Sequence, residues 1–237
     1  MTECLAMPIS IDLAAADVSP LVQCGTRILC GLRPGSASDR QTADFIRRRF
    51  KQAHGARPVL QMPPLVALAS AQGTLLAAVG VRDAGQARLF LEDYLDQPLE
   101  ALLPGVPSGR ETVVEIAHLA GVESGISRPL FAALAVWLQA GGKTWVVCTG
   151  TAQLRNSFRH MGIGVMDLGA ADPCRLPDGG RCWGRYYECQ PRVLAMNVAE
   201  GVASLQSGGL LRQVRAMGPA TVVERGPTVG GRYGCIA

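Results

Sequence analysis

Aromatic residues are scarce in this chain, at 5% of the total, and charged residues reach only 18%. Yet 48% of the residues are apolar, and 28 glycines and 15 prolines interrupt any long helical register, which excludes a disordered chain, a coiled coil and a collagen-like repeat. There is no run of 18 consecutive apolar residues, so the sequence contains no membrane-spanning helix. The first residues carry acids where a secretory leader would carry bases. Net charge is only +4, from 23 basic and 19 acidic side chains spread along the chain, and implies no nucleic-acid partner.

The eight cysteines contain no Cys-x-x-Cys pair, and 237 residues suffice to bury a core without disulfide staples. We read them as mainly reduced thiols in a cytoplasmic protein. Cys174, Cys182 and Cys189 come nearest to a ligand set, but their spacing fits no common zinc pattern, and no metal is expected.

The apolar segment Leu21 to Leu32, broken by Gly25, reads as one or two strands. Ser38 and Asp39 start a helix whose apolar stripe is Ala43, Phe45, Ile46 and Phe50; it carries a basic run at Arg47, Arg48, Arg49 and Lys51 and ends near Gly55. That run could touch an acidic partner, but a solvated face is the preferred reading. Leu65 to Ala69 and Thr74 to Val81, separated by Ala71-Gln72-Gly73, read as an antiparallel hairpin. Leu89 to Leu103, interrupted by Pro98, reads as two short helices or a helix and a turn.

A strand is expected over Thr112 to Ala120, followed by a glycine-bearing loop and a helix over Ser127 to Ala140 with Pro129 in its first turn. Further strands are expected over Trp145 to Thr149, Ile163 to Leu168 and Trp183 to Glu188, with a helix over Thr151 to His160. A helix is expected between Asn197 and Met217, then a tail. The alternation of strands and helices indicates a layered α/β fold.

Strand, glycine loop and helix start at Val113 to Leu134 form the strongest chemical constellation. A helix N-terminus offers unpaired N–H groups to a phosphate, and Arg128 adds a formal charge. Glu115, inside an otherwise apolar strand, is a candidate general base whose pKa burial would raise. His118 falls on the opposite face in a regular strand, and on the same face if a bulge intervenes. Tyr186 and Tyr187 alternate across the expected strand Trp183 to Glu188, so that one could face a reaction cleft as a proton donor while the other packs. Cys148 reads as packing.

The runs Leu89-Phe90-Leu91-Glu92-Asp93-Tyr94-Leu95-Asp96-Gln97-Pro98-Leu99-Glu100, Val114-Glu115-Ile116-Ala117-His118-Leu119-Ala120 and Trp183-Gly184-Arg185-Tyr186-Tyr187 resemble the thermostable hemolysin family of the GNAT N-acyltransferase superfamily. Acyl-homoserine-lactone synthases look similar in the second run. The resemblance spans about residues 42 to 193. It implies a mixed, mostly antiparallel sheet flanked by helices over residues 1–195, with 196–237 a C-terminal extension, partly helical and then flexible.

It also implies transfer of an acyl group from CoA or an acyl carrier protein to a small-molecule amine. Catalytic residues would be Glu115, His118, Tyr186 and Tyr187, and the donor would lie against Leu119, Gly121, Gly125, Ile126, Ser127, Arg128, Thr149 and Phe158. The superfamily's pyrophosphate loop, Gln/Arg-x-x-Gly-x-Gly/Ala, is here Val122-Glu123-Ser124-Gly125-Ile126-Ser127, without its leading amide or base. Phe158 stands where many members carry a tyrosine acid and has no proton to donate. These departures leave open a carrier-protein donor, another phosphate-bearing ligand, or a GNAT fold used for ligand binding or other chemistry. Membrane lysis, suggested by the family's label, finds no strongly amphipathic basic segment.

Overall fold

The computed structural model describes residues 8–57, 62–105, 109–122 and 125–218. Among them, strands β1 (Val18–Cys24), β2 (Arg27–Leu32), β3 (Leu65–Ser70), β4 (Leu75–Asp83), β5 (Val113–Gly121), β6 (Trp145–Gly150), β7 (Met166–Ala170), β8 (Arg192–Asn197) and β9 (Val214–Ala216) form one sheet. Its order is β7-β8-β6-β5-β4-β3-β2-β1-β9. Every neighbouring pair is antiparallel except β5 and β6, which run parallel. A parallel pair needs a crossover, and helix α3 (Ser127–Ala140) supplies it.

Helix α1 (Ala37–His54) starts where the Ser36 side chain accepts from the Asp39 N–H, a cap that contributes about 1 kcal/mol. It ends at Gly55, whose φ of 67° suits a residue without Cβ. Its apolar stripe is as the spacing predicts, with Phe45, Ile46 and Phe50 buried. They pack on one face of the sheet with Leu32, Leu65 and Ala67. The adjoining part of that face is covered by residues 89–103, a 3-10 turn at Phe90–Tyr94 followed by α2 (Leu99–Leu102), which pack over Val113, Val147 and Val193.

The opposite face carries α3, α4 (Ala152–His160) and α5 (Val198–Ser207), with Leu130, Trp137, Phe158 and Leu205 buried against Leu29, Leu68, Val79 and Val114. Fully burying one such side chain stabilises by about 2 kcal/mol, so α3 is fixed chiefly by this face.

Trp183 to Glu188 is not a strand. Gly180 and Gly184 adopt φ values of 73° and 56°, and the segment closes into 3-10 turns at Arg181–Trp183 and Tyr186–Cys189. A Cβ on Gly184 would sit 2.2 Å from the His54 carbonyl, so the chain approaches α1 too closely for any other residue. Tyr186 and Tyr187 therefore do not alternate across a sheet. The strand lies later, at β8, where Val193, Leu194, Ala195 and Met196 are all buried between β6 and β7.

The expected boundary at 195/196 falls inside β8. Beyond it, α5 packs on α3 and β9 pairs with β1; the expected tail beyond residue 218 lies outside the described residues. Cys24, Cys30, Cys148, Cys174 and Cys189 are free thiols, whereas Cys182 is disulfide-bonded, contrary to the reduced reading for that residue. Among the described residues no helix is long and apolar enough to cross a membrane, and no group of three or more His, Cys, Asp or Glu side chains stands ready to hold a metal.

Candidate active site

Strands β5 and β6 pair over only three positions, Val113 with Trp145, Val114 with Val146 and Glu115 with Val147. Beyond them β5 stays registered with β4 as far as Gly121, and β6 with β8 as far as Gly150. Each strand is held on its outer side while the inner edges separate. The cause lies in the β4–β5 register: Ala117 faces Gly80 and Ala120 faces Ala78, so His118 and Leu119 oppose the single residue Val79. This bulge, with His118 at φ 56°, bends β5 away from β6. The result is a slot between two strand edges that no longer pair with each other.

A cavity opens on each side of the slot. Beneath α3, α4 and α5 lies an apolar one of about 90 Å³, lined by Leu119, Phe131, Leu134, Cys148 and Phe158 among others. On the α1 side lies one of about 210 Å³, walled by the rings of Phe50, His54, Phe90, His118, Trp183 and Tyr186. Ile116, His118, Leu119, Thr149 and Leu154 border both.

Glu115 is fully buried on the wall of the aromatic cavity. Its carboxylate accepts from Arg82 Nη1 at 3.0 Å, the Phe90 N–H at 3.0 Å and the Leu91 N–H at 3.1 Å. Burial pushes its pKa up, while Arg82 and the two amides pull it down; the net direction is upward. Three donors occupy this carboxylate and tie the Phe90–Tyr94 turn to the sheet.

The bulge turns His118 to the same side as Glu115. Its imidazole stacks parallel to Trp183 at a centroid distance of 6.2 Å and meets Phe50 edge-on at 6.4 Å. Nδ1 is buried without a hydrogen-bond partner among the described residues. Burial, and then the Arg82 charge, push its pKa down to about 3, so the ring is neutral near pH 7.

Tyr186 Oη donates to the Thr149 carbonyl at 3.3 Å across the slot, and burial raises its pKa. Tyr187 turns away to the 89–103 cluster, where its hydroxyl meets that of Tyr94 at 2.6 Å, and burial pushes it up to about 12. Cys148 is held as a thiol, its pKa pushed up to about 12 by burial.

The expected donor-binding residues divide into two groups. Leu119, Gly121, Thr149 and Phe158 border the slot and its cavities. A Cβ on Gly121 would stand 2.7 Å from the Ile126 side chain, so glycine lets α3 start close to the slot. Gly125, Ile126 and Arg128 border a separate hollow with Arg27 and Arg212, and Ser127 opens α3. Residues 123 and 124 of the loop lie outside the described ones. Sequence reasoning missed Phe50 and His54 as site residues, although their i, i+4 spacing puts both on one helix face.

The model of the family described as "Thermostable hemolysin" matches residues 32–202. The chain belongs to that family. Among solved structures, it shares its fold with FeeM, an N-acyl amino acid synthase from uncultured soil microbes (13% identity, TM-score 0.52, covering 76% of this chain and 97% of that one). The acyl-homoserine-lactone synthase LasI is similar at 11% identity and TM-score 0.51, over 78% of this chain and 93% of that one. TofI, in a ternary complex with an inhibitor and MTA, is similar at 16% identity and TM-score 0.51, over 76% and 96%. No curated protein sequence matches this family member. The likeness shows a fold shared with acyl-transferring synthases.

Proposed function

We propose that this protein transfers an acyl group from a pantetheine thioester, carried by CoA or an acyl carrier protein, to a small-molecule amine. The single observation that carries the reading is the bulge-driven separation of β5 from β6, which leaves a slot between an apolar and an aromatic cavity. The pantetheine arm lies along the free strand edges, the acyl chain enters the apolar cavity under α3, and the amine arrives from the aromatic side.

His118 rather than Glu115 serves as the base. Every oxygen of Glu115 already accepts a hydrogen bond, whereas the neutral imidazole of His118 borders both cavities and makes none among the described residues. The amine nitrogen attacks the thioester carbonyl, the C–N bond forms and the C–S bond breaks. The proton leaving nitrogen goes to His118 and from there to the departing thiolate, while the Tyr186 hydroxyl turns from the Thr149 carbonyl to donate to that sulfur. FeeM's description as an N-acyl amino acid synthase favours amino acids as the first acceptors to try.

The test is release of free thiol from acyl-CoA and acyl-carrier thioesters across a panel of amines and amino acids. Amine-dependent release with formation of the amide is expected. A retained ligand without pantetheine, together with no turnover of either donor, would replace this reading with ligand binding. Leakage of liposomes by the protein alone would replace it with membrane lysis.

A further inference from the structure

The basic run on α1 has one member that is not simply solvated. Arg47 pairs with Asp44 at 2.9 Å and Arg48 is exposed. Arg49 is half-buried and lines the aromatic cavity beside Gly121 and Thr151, at the mouth of the slot. Its Nη1 donates to Gln52 Oε1 at 2.8 Å and its Nη2 to the Val122 carbonyl at 3.2 Å. It makes no ion pair among the described residues, so no carboxylate there offsets this guanidinium, which has donors to spare.

Val122 is the first residue after β5, where the glycine loop toward α3 begins. Its own side chain is apolar, yet Arg49 arrives at that point through space from α1. Because His118 and Leu119 together oppose the single residue Val79, the strand advances from His118 to Val122 by three ladder steps, roughly 10 Å at 3.3 Å per residue, and the Arg49 guanidinium stands at that end of it. A thioester lying at His118 with its arm extended along β5 therefore runs toward Arg49.

We propose that Arg49 binds the phosphate that terminates the pantetheine arm, supplying from α1 the charge that the β5–α3 loop lacks at Val122. This rests on the acyl-transfer reading of the slot. The phosphate is common to CoA and carrier-protein donors, so the residue serves either.

The experiment titrates the full-length protein and its Arg49→Gln and Arg49→Lys variants with acyl-phosphopantetheine and with acyl-pantetheine, which differ by that one phosphate. The wild type should prefer the phosphorylated thioester by roughly tenfold, the worth of a charge-assisted hydrogen bond. Arg49→Gln should erase the preference while leaving acyl-pantetheine affinity unchanged, and Arg49→Lys should restore part of it. A preference that survives Arg49→Gln, or equal weakening of both thioesters, would overturn the proposal. So would a loss that follows an acceptor's carboxylate instead of the donor's phosphate. Failure of the wild type to bind either thioester would remove the acyl-transfer reading, and this proposal with it.

Discussion

The two halves of β5 carry two buried polar side chains three residues apart, and they are treated in opposite ways. In the first half, zipped to β6, Glu115 is met by a guanidinium and two backbone amides. In the second half, past the bulge, His118 is also buried, yet its Nδ1 has no partner among the described residues. A buried polar group with all its bonds made is framework, since removing it strands its partners. One left without bonds costs stability and marks a place where something else supplies the partner. On this contrast, and on its place between the two cavities, we propose His118 for the chemistry and Glu115 for the framework.

The largest effect should come from breaking the satisfied half. Glu115→Ala leaves Arg82, whose side chain is only 11% exposed, facing two unbonded amides. Urea denaturation should show a loss of about 3–5 kcal/mol, as for other buried pairs broken on one side. An unchanged midpoint would mean that the carboxylate anchors nothing.

Next is the division of the slot between two cavities. Ala135 borders the apolar one, and Ala135→Leu should cut turnover of long-chain thioesters by about tenfold or more while sparing acetyl donors. Equal loss for both would show that the acyl chain lies elsewhere.

A smaller effect is set by pH. His118 has its folded-state pKa depressed to about 3, from 6.5, and His54 is shifted in the same direction by burial and then Arg185. The unfolded form of His118 binds more protons between those values, and His54 acts in the same direction, so the His118 contribution is fully present above about pH 6.5 and is lost as the pH falls toward 3. Asn at position 118 tolerates the positive φ. Wild type and His118→Asn measured side by side should diverge in that window, the wild type losing more stability; parallel curves would place His118 in contact with water. The opposite upward shift of Glu115 is common to both proteins and cancels.

The smallest effect separates the two tyrosines. Tyr187→Phe removes only the bond to Tyr94 and should cost about 1 kcal/mol without slowing turnover. Tyr186→Phe should slow turnover with little change in stability, and the reverse pattern would exchange their roles.

Helix α1, the β3–β4 hairpin and α3 were legible because their signals are local: a 3.6-residue apolar stripe, a Gly73 turn, and Gly141 after the last apolar residue. The Trp183–Glu188 segment was misread because its course depends on positive φ at Gly180 and Gly184, which apolar patterning does not reveal. The strand β8 is four apolar residues in a polar stretch, and only its place between β6 and β7 makes it an interior strand. At the site, Glu115 was legible as a buried acid, but its partners come from 24 to 33 residues away. The face of His118 depends on its register with β4, which no local pattern encodes.

The central claim is tested most directly by measuring one variant twice. His118→Asn should keep its denaturation midpoint at neutral pH to within about 1 kcal/mol of the wild type, while amine-dependent thiol release falls by about a hundredfold or more. Undiminished thiol release by a folded His118→Asn protein would contradict the assignment.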